Sequence, residues 1–272
     1  MQKILKGATV ADKIIDKIKT FSPKRCLGVI KVGADPGSSS YLKGITKTSE
    51  RAKVKLAVSE LPKHAAENDI KIAVKKMRDS KRVDGILLME PFPEVVNIRE
   101  LIEIVGKDKD VEGIHPYNMG KLLLGEPTII PSTPGAVLEL MNFYEIDPNG
   151  LHTVILGRSK VVGKPLANLL LRKNRLGNAT VTVCHSKTKN LKDITTTADI
   201  LIVAMGKAEF VTDEFIQDEV IIIDVGINMK EGSLVGDVDF ESVKEKALAI
   251  TPVPGGVGSI TTASLLLNLY KL

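Results

Sequence analysis

Apolar and polar residues alternate along this chain in two distinct rhythms, and the two rhythms take turns. Short apolar runs read as strands at 26–33 (CLGVIKVG), 55–61 (KLAVSEL) and 84–90 (DGILLME). Between and around them the apolar positions recur at helical spacing, over 8–20, from about Ser39 to Ala52, over 65–79 and over 97–105. After residue 150 the same alternation resumes. Strands are expected at 152–157, 179–185, 199–206 and 219–226, with a helix over 163–173. Strand–helix alternation of this kind predicts parallel sheets with helices on their faces, an α/β fold. The second series predicts a doubly wound, Rossmann-like sheet. Between the two series, residues 106–135 lose their period in GKDKDVEGIHPYNMG and PSTPG. A boundary is therefore expected near Pro131–Pro134. The C-terminal stretch ITPVPGGVGSITTASLLLNLYKL reads as a Gly/Pro loop followed by an apolar helix.

Composition narrows the function classes. The chain has 272 residues, 43% hydrophobic and 26% charged, the proportions of an ordinary globular protein. No apolar run reaches the ~18 residues of a membrane span, and the first residues lack the apolar region of a signal peptide, so the expected compartment is the cytoplasm, with no membrane partner. Two distant cysteines and four scattered histidines offer neither a disulfide framework nor metal-ligand spacing, and no metal is expected. The net charge of +5 is mild, the lysines are interleaved with acids and aromatics are 4%. That is a poor nucleic-acid footprint. A small polyanion is the better match.

The sharpest local feature is LGRSKVVGKP, residues 156–165, at a strand-to-helix junction. Gly157 suits the tight turn, and Gly163 lets a helix N-terminus approach a phosphate. Arg158 and Ser159 stand in the loop between them. The spacing differs from GxGxxG, so the glycines alone also fit a plain βα turn. The next strand sharpens the reading. It ends Val183-Cys184-His185-Ser186-Lys187, with no acid to hold ribose hydroxyls, whereas Arg158 and Ser186 suit a 2′-phosphate. NADP is the expected cofactor.

GRSKVVGKP, TVCHSKT, IIDVGIN, GDVDF and above all TPVPGGVGSIT resemble the methylenetetrahydrofolate dehydrogenase/cyclohydrolase family, along essentially the whole chain. The resemblance implies two α/β domains. A folate-binding catalytic domain is expected over 1–133 and 255–272, and an NADP-binding Rossmann-like domain over 134–254, with the last helix returning to the first. It also implies a homodimer and a tetrahydrofolate-derived substrate. The implied activity is oxidation of 5,10-methylenetetrahydrofolate with NADP, followed in many members by hydrolysis of the methenyl product to 10-formyltetrahydrofolate. Ile227 joins Gly157, Arg158, Ser159, Gly163 and Ser186 in the implied cofactor site. Pro254, Gly255, Gly256 and Thr261 join Tyr41 and Glu112 in the implied substrate site.

Four positions depart from the family pattern. VGADPGSSSY (32–41) matches without gaps and places Tyr41 at the tyrosine that lies against folate. The family lysine four residues later is Ile45 here. The family's GILVQLPLP reads GILLMEPFP, which puts Met89 at the glutamine position. KDVDGF reads KDVEGI, giving Glu112, and PGGVGP reads PGGVGS, giving Ser259. Water attacking a methenyl cation must lose a proton, which Ile45 cannot take. Tyr41 and Ile45 share a helix face, and Lys43 and Lys47 point away from it. Hydride transfer depends mainly on positioning and exclusion of water. The expectation is an intact dehydrogenase with weak or absent cyclohydrolase. Two alternatives stay open, a bifunctional enzyme using another base and a non-catalytic folate- or nucleotide-binding regulator.

Overall fold

The computed structural model describes residues 3–272. In chain order the elements are β1 (Lys3–Ile4), α1 (Gly7–Thr20), β2 (Cys26–Val32), α2 (Pro36–Ala52), β3 (Lys55–Leu61), α3 (Glu67–Asp79), β4 (Gly85–Met89), α4 (Ile98–Val105), α5 (Pro116–Leu123) and α6 (Ser132–Phe143). There follow β5 (His152–Leu156), α7 (Gly163–Leu170), β6 (Thr180–Cys184), α8 (Leu191–Thr195), β7 (Ile200–Val203), β8 (Ile221–Asp224), β9 (Asn228–Lys230), β10 (Ser233–Val235), α9 (Phe240–Val243), β11 (Ala249–Ile250) and α10 (Gly258–Asn268). They form two compact units, one of Lys13–Ser132 with Thr262–Leu272, the other of the residues up to Asp12 with Thr133–Thr261.

The first unit holds a parallel sheet ordered β3-β2-β4. Its topology decides which helix covers which face. The chain steps outward from β2 to β3 through α2, then back across β2 to β4 through α3. Right-handed crossovers running in opposite directions put their helices on opposite faces. The α3 and α4 residues Ile70, Val74, Leu101 and Ile102 pack with Ile30, Val32, Ile86 and Leu88 in one core. Side chains alternate along a strand, so Val29, Lys31, Leu87 and Met89 point to the other face, the α2 side. The C-terminal segment closes this unit. Asn268 Nδ2 donates to the carbonyls of Val111 and Ile130 at 3.0 and 2.8 Å, and Tyr270 stacks on Phe21.

The second unit is a six-stranded parallel sheet, β1-β11-β8-β7-β5-β6, with a separate β9–β10 hairpin. β5 is followed by β6 on one side and β7 on the other, so strand order reverses at β5. That reversal is where open α/β sheets bind ligands, beyond the carboxyl ends of the strands.

Three features differ from the periodicity. The turn-rich reading of 106–135 misses α5 and the start of α6, because Pro116 and Pro134 sit in first turns, where proline is tolerated, and open these helices. α2 begins at Pro36, not near Ser39, because Asp35 caps it by accepting from Ser38 N at 2.8 Å. The division of the chain also differs from 1–133 and 255–272 against 134–254. β1 pairs with β11, and Gly7 N donates to the Gly255 carbonyl at 2.7 Å, so both the N-terminal residues and the Gly255–Thr261 stretch lie in the second unit.

Candidate functional site

At the carboxyl end of β5 the chain turns through Gly157, whose φ of 132° few side chains tolerate and whose added Cβ would stand 2.2 Å from the Ala204 carbonyl oxygen. A Cβ on Gly163 would lie 2.0 Å from the Gly157 carbonyl oxygen. The loop is thus folded back on itself, and only glycine fits either end. Ser159 closes it internally, its Oγ accepting from Val162 N at 3.1 Å. Arg158, Ser159 and Lys160 remain exposed, and α7 opens at the buried Gly163, where Lys164 N donates to the Ser159 carbonyl at 3.1 Å, Pro165 has no N–H and the positive end of the helix dipole faces the loop.

Beyond β6 a second tight turn presents Ser186. His185 N donates to Thr188 Oγ1 at 2.9 Å, and Lys187 N donates to His185 Nδ1 at 3.1 Å. The Ser186 side chain is exposed, and no carboxylate follows the strand.

Two buried carboxylates hold the loops after β7 and β8. Asp237 accepts from the backbone N–H groups of Met205, Gly206 and Lys207 and from Asn228 Nδ2. Asp224 accepts from Gly226, Asp237 and Val238 N–H. Burial pushes Asp224 up to about 6, against the pull of those three donors and helped by the Asp237 charge. Ile227 follows this clamp with 62% of its surface exposed, and a Cβ on Gly258 would touch it at 3.2 Å. Pro254 and Gly255 are exposed, Gly256 is buried, and Thr261 Oγ1 donates to the Val257 carbonyl at 3.2 Å within α10.

The remaining candidates lie in the other unit. Tyr41, on the second turn of α2, is half-buried. Its hydroxyl is held far above the usual phenol range, first by burial and then by the Glu112 carboxylate. Ile45, one turn on, has no exposed surface, and Met89 at the end of β4 has 2%. Lys43 and Lys47 are exposed, turned away from this face. The sequence-derived substrate set is therefore shared out, with Tyr41 and Glu112 in the first unit and Pro254, Gly255, Gly256 and Thr261 in the second.

One residue of this region escaped the sequence reading. Lys31 lies in β2 beside Met89, with 3% of its surface exposed, and the signal was a single lysine inside the apolar run CLGVIKV.

Known proteins resemble this chain over its whole length. Residues 5–112 match the tetrahydrofolate dehydrogenase/cyclohydrolase catalytic domain, and residues 131–272 the NAD(P)-binding domain of the same family. The bifunctional protein FolD of Bacillus cytotoxicus is 42% identical over 276 residues, covering 98% of this chain and 95% of its own. The crystal structure of bifunctional FolD from Campylobacter jejuni superposes with a TM-score of 0.94 at 39% identity, covering 100% of this chain and 98% of its own. The Trypanosoma brucei N5,N10-methylenetetrahydrofolate dehydrogenase-cyclohydrolase, solved with NADP cofactor and inhibitor, superposes at 0.92 with 29% identity, covering 99% and 96%.

Proposed function

The chain belongs to the tetrahydrofolate dehydrogenase/cyclohydrolase family, and on that footing we propose that it oxidises 5,10-methylenetetrahydrofolate to the methenyl form with NADP, while hydrolysing the product only weakly. The observation that carries the reading is the tight loop from Gly157 to Gly163, where a Cβ at either end would strike main chain, so only glycine brings β5 and α7 this close. NADP, when bound, accepts the hydride. The chain's own residues do the holding. The N-terminal end of α7 at Gly163, with its helix dipole, suits the diphosphate, and the exposed Arg158 and Ser186 suit a 2′-phosphate. Ile227 offers an exposed apolar side chain after β8.

On the folate side, Tyr41 supplies a flat, half-buried ring for the pterin to lie against. Glu112 supplies a carboxylate for the amino-pyrimidine edge, a charge-assisted pair. Its charge and burial both keep the Tyr41 hydroxyl protonated, so the ring presents a neutral face. In the second unit, Pro254, Gly255, Gly256 and Thr261 are the proposed substrate contacts. Hydrolysis is the weaker half because neither Ile45 nor Met89 can take or hand on a proton. By the same family membership the proposed assembly is a homodimer and the proposed compartment the cytoplasm.

The test is direct. Purified protein is mixed with methylenetetrahydrofolate and NADP, and the methenyl absorbance is followed. Rapid appearance and persistence of the methenyl species is expected. Fast enzyme-dependent decay would mean a fully bifunctional enzyme, and no turnover with NADP or NAD would mean a non-catalytic binding protein.

A further inference from the structure

Lys31 is, among the described residues, the one buried lysine, arginine or histidine. Its ammonium donates one hydrogen bond, to the Gly33 carbonyl at 3.0 Å. The nearest carboxylate oxygen is Glu60 Oε2 at 3.7 Å, beyond hydrogen-bond reach and on a side chain 60% exposed. Taking an ammonium out of water is costly, and a single carbonyl with a distant, hydrated carboxylate returns little of that cost. An apolar residue on this strand would serve the fold better. The fold therefore gives no reason for a lysine here.

Its place in the sheet does give one. Lys31 is paired in register with Met89 across the β2–β4 seam, so the two side chains leave the same face side by side. That face is the one covered by α2, the helix bearing Tyr41 and the fully buried Ile45. The strand thus roots a lysine beside Met89 on the α2 face, with its ammonium held at the Gly33 carbonyl on the Glu60 side. A lysine enclosed by protein is the residue type that general-base lysines are drawn from.

We propose that Lys31 is the proton carrier for hydrolysis in this site, delivered from β2 where α2 offers only Ile45. The proposal rests on the folate reading of the site given above. In the step, the oxygen of a water bonds to the carbon bridging N5 and N10, and one water proton passes to the Lys31 amine. The carbon–N5 bond then breaks as N5 takes up a proton and the new hydroxyl gives up its own. The formyl group stays on N10, and one net proton leaves through Lys31. The activity so carried is the weak hydrolysis of the preceding reading.

The test supplies methenyltetrahydrofolate directly to the full-length protein, so it does not depend on the oxidation step. Wild-type protein is expected to hydrolyse it slowly but above the buffer rate. Lys31→Met should lower the enzyme-dependent rate tenfold or more while melting no lower than wild type. Lys31→Arg keeps a donor for the Gly33 carbonyl but does not give up a proton, and should be as poor as the methionine variant. Oxidation of methylenetetrahydrofolate by NADP, assayed in parallel, should fall by a smaller factor than hydrolysis in both variants. A Lys31→Met rate equal to wild type, a wild-type rate no faster than buffer, or recovery in Lys31→Arg would each overturn the proposal, the last by assigning Lys31 a positioning role instead. Absence of oxidation by the wild type sinks the dehydrogenase reading alone and leaves the hydrolysis result standing.

Discussion

A Cβ placed on Gly163 would come within 2.0 Å of the carbonyl oxygen of Gly157, so the two ends of the loop between β5 and α7 are in backbone contact. No side-chain movement relieves that approach, because the obstructing atom is main chain. Gly163→Ala must push α7 away from the turn and displace the helix N-terminus proposed to face a phosphate. The expected outcome is NADP affinity at least tenfold weaker, measured by fluorescence titration with NADPH. Retention of affinity within a factor of two would show that the loop has slack which the packing does not suggest.

Cofactor choice turns on Arg158 and Ser186. Both are exposed, and each is left free by turns that satisfy their neighbours instead. Losing one charge-assisted contact to a phosphate costs roughly tenfold in affinity. Arg158→Ala should therefore raise the KM for NADP about tenfold and leave that for NAD nearly as it was. If both KM values rise together, Arg158 holds the diphosphate rather than the 2′-phosphate.

Much of this half was legible beforehand because local rules govern it. Gly157 and Gly163 bracket a strand-to-helix turn, and no acid follows β6, all visible as adjacent letters. The β1 and β11 strands are another matter. At two residues each they have no period to detect, and they exist because they complete a sheet edge. The folate side divides in the same way. Tyr41 and Ile45 share a face by helix geometry alone, whereas the pairing of Lys31 with Met89 depends on which strands become neighbours. A lone lysine in an apolar run reads as a strand-end residue reaching for solvent, and only the register reveals that it stays inside.

Asp224 gives the second unit a distinct pH response. Burial raises its carboxyl from an ordinary 3.8 to about 6, so the folded protein binds this proton more tightly than the unfolded chain does. The resulting stability is fully present below about pH 4 and is lost as pH rises through about 6. The shift corresponds to no more than about 3 kcal/mol. Asp224→Asn cannot titrate. Denaturant unfolding at pH 4.5 and 6.5 should show wild type losing stability relative to the variant by part of that amount. An unchanged difference between the two proteins at both pH values would mean the carboxyl is ionised throughout and its three N–H donors outweigh burial.

Ile45 and Met89 set the hydrolytic limit together. Ile45 is fully buried on the α2 face that also carries Tyr41, and Met89 is buried at the end of β4 across from that helix. A lysine at 45 alone would place an ammonium among apolar neighbours, where desolvation opposes it. A glutamine at 89 supplies an amide carbonyl to receive it and an N–H to return, so the two changes should work as a pair and not additively. General-base catalysis contributes on the order of 10²–10⁴ to a rate. Ile45→Lys with Met89→Gln is expected to raise methenyltetrahydrofolate hydrolysis at least tenfold above wild type, while either change alone gives little. The decisive quantity is the coupling measured by the double-mutant cycle. If the double variant folds, still oxidises methylenetetrahydrofolate and yet hydrolyses no faster, then the apolar pair does not limit hydrolysis. The slow step would then have to be sought in access of water to the bridging carbon.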